Sequence, residues 1–185
     1  MPEQLFFLTD DQDWVGNSIQ FMPNLQSLIV EEGAQFEGYA GPTCCPSRSS
    51  ILTGKYPFKV GVKNNNVFAD GTGCASAAWY NQHLGGVTVP LVLRQAGPET
   101  RNMGYYLQQA GYRTAMIGKY LNQYGDGNNG INPGGLSHVP VGWTKWLAQG
   151  GGGFYYSENL ARISFSLALT RRVCCWATLS WQTMS

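Results

Sequence analysis

Short apolar runs alternate along the chain with segments of helical periodicity and with polar turns. Residues 5–8 form a continuous apolar run, which is typical of a strand buried on both faces of a sheet. Residues 114–117 form a second run of this kind, closed by Gly118. Because helical segments lie between these runs, the pattern predicts an α/β layer architecture in which the strands pair mostly in parallel.

Proline and glycine residues mark the ends of the expected helices. One helix begins at Pro23 and ends before Gly33, a second ends before Gly54, and a third begins at Pro98 and ends before Gly111. The first and the third carry apolar side chains at helical spacing, which predicts one buried face on each helix.

The remaining segments lack a long periodic pattern. We expect a short strand at residues 35–40 and irregular chain over residues 61–97, with a strand at 87–93 that Pro90 weakens. Residues 125–153 are rich in Gly, Asn and Pro and are expected to form a loop, with Trp143 and Trp146 as apolar anchors.

Composition narrows the class of protein. The chain has 185 residues, of which 43% are hydrophobic and 12% charged, and 24 are glycine. The hydrophobic content excludes disorder driven by charge, and the glycine content excludes a coiled coil. The net charge of +1 gives no support for binding to nucleic acid, and the apolar runs are too short to span a membrane. The five cysteines include no C-x-x-C pair, which argues against a zinc ribbon.

The candidate functional residues lie at the ends of the two predicted strands and at the start of the second helix. Asp10 and Asp11 directly follow the first strand, where α/β folds bind ligands, and paired carboxylates suit Ca²⁺ or Mg²⁺. Cys44 lies at the start of the second helix, whose free N–H groups favour an anion, and Arg48 lies one turn further on. Lys119 follows the second strand. The alternatives are a solvated acidic turn, a structural thiol and a surface lysine.

Residues 44–54 carry the strongest motif in the chain. Their sequence, CCPSRSSILTG, fits the pattern C-x-P-S-R-x-x-x-L-T-G at every defined position. This pattern is the signature of the sulfatase family, which the chain resembles from about residue 4 to residue 156. Residues 7–13 and 111–122 resemble further family segments. Residues 134–143 are similar to the branch that contains N-acetylglucosamine-6-sulfatase, the heparan 6-O-endosulfatases and fungal arylsulfatases.

The resemblance implies an alkaline-phosphatase-like fold and an arylsulfatase-like hydrolysis of sulfate esters. By this resemblance, the formylglycine-generating enzyme oxidises Cys44 to formylglycine, whose hydrate attacks the sulfur of the ester. Asp10, Asp11 and the modified Cys44 would hold a Ca²⁺ ion that polarises the sulfate. Arg48 would stabilise the formylglycine, and Lys119 would bind sulfate oxygens. The implied substrate is a small-molecule or sugar sulfate ester. The implied location is the secretory pathway, extracellular or lysosomal, although no signal peptide is recognised in the chain.

The resemblance also divides the chain. We expect residues 1–156 to be the N-terminal part of a sulfatase catalytic domain. Residues 157–185 are expected to be a tail outside the family, either disordered or produced by mis-splicing. The family's second pair of metal ligands is expected from a later segment that these residues do not include. Two alternatives therefore stay open: an inactive, truncated sulfatase-like fragment, and a phosphate or phosphonate ester hydrolase of the same superfamily.

Overall fold

The computed structural model describes eleven stretches of the chain. They are residues 3–12, 15–16, 18–36, 41–66, 74, 83–84, 87–88, 98–122, 124–125, 135–150 and 173–180. Within them the chain forms a four-stranded sheet, a two-stranded hairpin and several short helices.

The larger sheet is entirely parallel. Its strands are β1 (Gln4–Asp10), β4 (Arg113–Gly118), β5 (Lys145–Ala148) and β6 (Val173–Ser180), in the spatial order β1-β6-β4-β5. β2 (His83–Leu84) and β3 (Val87–Thr88) form a separate antiparallel hairpin, in which β3 covers the first two residues of the strand expected at 87–93. The other residues of that expected strand lie outside the described part. The predicted α/β architecture with a mostly parallel sheet is confirmed.

The first strand is exposed, although its apolar sequence predicted burial on both faces. β1 pairs with β6 on one side, and no other described strand lies beside it. Leu5 is 63% exposed and Phe7 is 50% exposed, whereas Asp10 at the end of the strand is 8% exposed. The prediction was wrong because side chains of a strand are buried only where another layer covers the sheet face, and among the described elements only β6 contacts β1 extensively. In contrast, β4 lies between β6 and β5, and its Ala115 and Met116 are buried as predicted.

The three predicted helices are present with altered bounds. The buried face expected on the first was wrong, because its Leu28 and Ile29 are 73% and 50% exposed. α1 (Pro23–Leu25) continues as a π-helix over Gln26–Val30. α2 (Cys44–Thr53) ends at Gly54, whose φ of 67° costs a glycine little. α3 (Pro57–Val60) is a single turn that the sequence pattern did not predict. α4 (Met103–Gln109) follows a 3₁₀ turn over Pro98–Arg101, so the expected third helix is divided in two.

Two segments differ from their expected structure. Gln35 and Phe36 are not in a strand, and residues 37–40 of that expected strand lie outside the described part. Residues 125–153, expected to be a loop, contain β5. This strand was missed because it is only four residues long and follows a glycine-rich stretch, so its alternation is too short to detect.

Aromatic side chains around β5 form much of the core. Trp146 is 1% exposed, and its ring centroid lies 4.9 Å from that of Tyr120 and 5.7 Å from that of Tyr124, both edge to face. The Trp143 ring lies 5.8 Å from the Trp146 ring. Edge-to-face pairs add to the stabilisation that ring burial already provides. Both tryptophans expected as anchors therefore lie in the core.

We expect alkaline pH to destabilise this aromatic core through Tyr124. Burial raises the pKa of Tyr124 from 10.0 to about 12, and the negative charge of Glu99 adds to that rise, although the hydrogen bond from Trp146 opposes it. Because the folded chain holds the phenol proton more tightly, the resulting stabilisation is complete below pH 10 and is lost as the pH rises towards 12. At about 1.4 kcal/mol per pH unit, the loss is at most about 3 kcal/mol.

Urea unfolding at intervals between pH 9 and 12 measures this effect. In the variant Tyr124→Phe, the unfolding free energy should decline much less between pH 10 and 12. Below pH 10 this variant should be less stable than the original chain, because Trp146 Nε1 loses the acceptor that lies 2.9 Å away. The matched variant Tyr56→Phe, at a position 72% exposed, should keep the decline. A decline that persists in Tyr124→Phe would contradict the assignment to this residue.

Part of the expected tail belongs to the sheet. Residues 173–180 form β6 between β1 and β4, whereas residues 157–172 and 181–185 lie outside the described part. The domain boundary at residue 156 stays a prediction. Among the described helices, none combines the length and the apolar character that crossing a membrane requires.

Candidate active site

The end of β1 and the start of α2 line one cleft, and Lys119, which follows β4, contacts its Asp10. The cleft has a volume of about 550 Å³ and is lined by Asp10 and Asp11 from the end of β1 and by Cys44 and Arg48 from α2. Asn65, from the segment after α3, completes this wall. Parallel α/β sheets place ligand sites at the carboxyl ends of their strands, which is where this cleft lies.

A buried group of three charged residues forms the floor of the site. Asp10 is 8% exposed, and its two oxygens accept separate partners: Arg48 Nη2 lies 2.8 Å from Oδ1, and Lys119 Nζ lies 2.6 Å from Oδ2. Arg48 Nη1 also donates to the Lys119 carbonyl oxygen at 2.8 Å. The structure thus brings together three residues that the sequence places 38 and 109 positions apart.

The environment of Asp10 favours its ionised form. Burial raises the pKa of this carboxyl, but hydrogen bonds from Lys119 and Arg48 and their positive charges lower it by more. The pKa therefore lies below its ordinary value of 3.8. Because the carboxylate is favoured in the folded chain, its contribution to stability is complete above about pH 4 and is lost as the pH falls through the lowered pKa.

Asp10, Asp11 and Cys44 form a group that could hold a metal ion. Each offers one ligand atom, and these atoms all lie within 4.8 Å of one another. Asp11 adopts a φ of 54°, a left-handed conformation that aspartate tolerates better than most residues, and this turns the chain at the end of β1. Two carboxylates suit a hard cation such as Ca²⁺, whereas a thiol does not. The group therefore fits Ca²⁺ better if the sulfur of Cys44 is exchanged for oxygen.

The start of α2 is held from outside the helix. The Thr43 side chain makes no capping hydrogen bond; instead Asn65 Oδ1 accepts from the Cys45 backbone N–H at 2.8 Å. Ser47 donates through its hydroxyl to the Pro42 carbonyl oxygen, which ties the preceding loop to the first turn. Cys44, the first residue of the helix, is a free thiol at the edge of the cleft.

The family model for sulfatases matches residues 4–158 of the chain, which is most of its length. The chain belongs to the sulfatase family. The resemblance drawn from the C-x-P-S-R motif is confirmed.

This sulfatase chain also matches curated relatives. It is 37% identical over 163 residues to N-acetylglucosamine-6-sulfatase of Homo sapiens, an alignment that covers 86% of this chain and 26% of the relative. It is 39% identical over 163 residues to the extracellular sulfatase SULF-1 homolog of Drosophila melanogaster, covering 86% of this chain and 12% of that protein. The chain thus spans about a quarter or less of the length of these relatives. No solved structure matches it significantly.

Two features of the cleft were not predicted from the sequence. One is the contact of Asn65 with the start of α2, from a segment that was expected only to be irregular. The other is the disulfide between Cys45 and Cys74, 29 positions apart. Five cysteines allow several pairings, and Cys44 is a free thiol in the structure. The number alone could not give the pairing, because cysteine connectivity does not follow from sequence.

Proposed function

We propose that the protein to which this chain belongs hydrolyses sulfate esters, with Cys44 in its formylglycine form. The observation that carries the proposal is the C-x-P-S-R motif at the start of α2, which places Cys44 in the same cleft as Asp10, Asp11 and Arg48. The formylglycine would supply a nucleophilic hydroxyl, and a Ca²⁺ held by Asp10, Asp11 and the modified Cys44 would polarise the sulfate. The family membership of the chain supports this reading.

The charges of the cleft suit an anionic ester. Asp10 and Asp11 balance the positive charges of Arg48 and Lys119, so a bound divalent cation would leave the site with an excess of positive charge. The backbone N–H groups at the start of α2 add partial positive charge at the same place. Together they would bind the sulfate group and stabilise the charge that develops on its oxygens.

Arg48 and Lys119 each have more N–H donors than their contacts with Asp10 use. Both donate to Asp10, and they are 2% and 7% exposed. A guanidinium has five N–H donors and an ammonium has three, so each side chain can keep its contact with Asp10 and offer another donor to a sulfate oxygen. Arg48 has the better position because it already lines the cleft and has several N–H donors to share.

The substrate that we propose is a sugar sulfate. Relatives named N-acetylglucosamine-6-sulfatase match 86% of the chain, and another relative is named an extracellular sulfatase. These names favour a sulfated amino sugar over an aryl sulfate, and they favour a location in the secretory pathway, where the formylglycine-generating enzyme would act on Cys44.

Mass spectrometry and a sulfate-release assay test the proposal. When the chain is produced in a eukaryotic secretory pathway, the peptide that contains Cys44 should carry the mass of formylglycine. The protein produced in this way should release sulfate from glucosamine 6-sulfate. The variant Cys44→Ala, which cannot be converted to formylglycine, serves as the blank. An unmodified thiol together with no release of sulfate would contradict the proposal.

A second candidate is a sulfatase-like fragment that lacks turnover. It is favoured by the ligand set, since among the described residues the acidic and thiol ligands grouped at the cleft are Asp10, Asp11 and Cys44, whereas Ca²⁺ takes about six to eight oxygens. If the chain is such a fragment, its Tm should not rise with millimolar Ca²⁺, and it should release no sulfate even when Cys44 is modified.

A third candidate is a phosphate or phosphonate ester hydrolase, because a helix N-terminus accepts any tetrahedral oxyanion. Rates for the sulfate and phosphate esters of one phenol separate it from a sulfatase.

A further inference from the structure

Among the described residues of the segment after α3, Asn65 is the one that lines the cleft. It is half-buried, and it faces the cleft together with Cys44 and Arg48. Its amide has an acceptor end, Oδ1, and a donor end, Nδ2, which can serve two different partners at once.

The Cys45 backbone fixes which end of the amide faces the helix. A backbone N–H can only donate, so the atom that lies 2.8 Å from Cys45 N must be Oδ1. This bond satisfies one of the N–H groups that the first turn of α2 leaves without an internal partner. The donor end, Nδ2, is therefore the end left for a ligand, and no acceptor for it is found among the described residues.

Several contacts hold the backbone of this segment in place. The Cys45–Cys74 disulfide ties the segment to the start of α2, and Cys74 N donates to the Asn66 carbonyl oxygen at 3.0 Å. Asn122 Nδ2 donates to the Asn65 carbonyl oxygen at 3.5 Å, from just beyond β4. Such a pre-positioned donor loses little conformational entropy when it meets a ligand.

We propose that Asn65 is an anion-binding residue of the cleft, whose Oδ1 caps α2 while its Nδ2 donates to an oxygen of a bound tetrahedral oxyanion. The inference rests on the proposed function, because it assigns a further donor to the same oxyanion site. It adds a neutral donor to the positively charged Arg48 in the lining of the same cleft. The disulfide and the cap then serve one purpose, which is to keep this donor facing the oxyanion.

The variant Asn65→Asp separates the two roles of the amide. Aspartate has the same shape and keeps an oxygen for Cys45 N–H, but it replaces the Nδ2 donor by a negatively charged oxygen. We expect the Tm to stay near that of the unmodified chain, while the affinity for inorganic sulfate falls about tenfold to a hundredfold, the range for a lost hydrogen bond to a charged group. Isothermal titration of the full 185-residue chain with sulfate, in chloride buffer of constant ionic strength, measures the affinity.

The neighbouring variant Asn64→Asp is the matched control. It adds the same charge one position away, it keeps the Oδ1 that accepts from Asn66 N at 2.9 Å, and Asn64 does not line the cleft. Its sulfate affinity should fall less than about threefold, because a solvated charge at that distance is screened. Equal losses in the two variants would overturn the proposal, since they would show a general effect of charge.

A third variant, Asn65→Ala, keeps the proposal testable if Asn65→Asp fails to fold. Asn65→Ala removes the donor without adding charge, and it should also weaken sulfate binding, together with a lower Tm from the lost cap. Sulfate binding that is unchanged in Asn65→Asp or in Asn65→Ala would overturn the role of Asn65 and leave the proposed function intact. A chain that binds no sulfate at all would contradict the oxyanion site itself, and with it both proposals.

Discussion

Replacing Asp10 by asparagine is expected to lower the free energy of unfolding by about 3–5 kcal/mol at neutral pH, the range for breaking a buried ion pair from one side. Asparagine has nearly the same shape, so the loss comes from charge. Arg48 and Lys119, 2% and 7% exposed, would keep their positive charges in the interior and lose the carboxylate that both now contact. Urea unfolding at pH 7 measures the change.

Asp11→Asn is the control for this expectation. It removes the same charge from the next residue, and asparagine tolerates the left-handed φ of 54° at that position. Because Asp11 is exposed, its loss should cost less than about 1 kcal/mol. If the two variants lose similar amounts of stability, the buried charged group does not contribute what its geometry indicates.

The same group sets the response of the chain to acid. Because the pKa of Asp10 is lowered, the unmodified chain should lose stability as the pH falls below about 4, where the unfolded carboxyl takes up its proton first. Asp10→Asn has no such proton to take up, so its unfolding free energy should change less over this range. Unfolding curves at pH 5, 4 and 3 for both proteins measure the difference.

The location of the site could be predicted because parallel strands bring their carboxyl ends to one edge. Asp10 ends one strand and Lys119 follows another, and Cys44 and Arg48 lie in the first two turns of a helix, so the topology alone places them near each other. The structure brings all four to one region. What topology does not give is the pairing inside the group. Lys119 was expected to bind sulfate, a role that stays a prediction, and in the structure its Nζ contacts Asp10.

The parts of the fold that escaped prediction depend on contacts between distant segments. Leu5 is exposed because no described helix packs extensively on β1, and no local pattern records which elements cover a strand. β6 pairs with both β1 and β4 although residues 173–180 were expected to lie in a tail outside the family. The Cys45–Cys74 bond and the Asn65 cap likewise join residues about 20 to 30 positions apart.

A second large loss of stability is expected from Gly142→Ala, because the loop before β5 packs closely against α4. Gly142 has a φ of 98°, and a Cβ placed there would lie 2.5 Å from Gly104 C and from Tyr105 Cα and would also overlap Tyr105 N. These are backbone atoms of α4, which cannot turn aside as a side chain can. The helix would have to move away from this loop. Two hydrogen bonds oppose that movement, because Thr114 Oγ1 donates to the Gly142 carbonyl oxygen at 2.6 Å and Asn102 Nδ2 donates to the Val141 carbonyl oxygen at 2.9 Å.

We therefore expect Gly142→Ala to lower the free energy of unfolding by about 2–5 kcal/mol, combining the cost of a positive φ with that of overpacking. Gly54→Ala isolates the first of these costs, because Gly54 has a φ of 67° and, apart from its chain neighbours, no described atom lies within 4 Å of the added Cβ. Its loss should be about 1–2 kcal/mol. Urea unfolding of both variants gives the difference, which is the cost of separating α4 from the loop. Equal losses would show that α4 yields freely, and that the packing of α4 against the segment leading into β5 contributes little to the stability of the sheet.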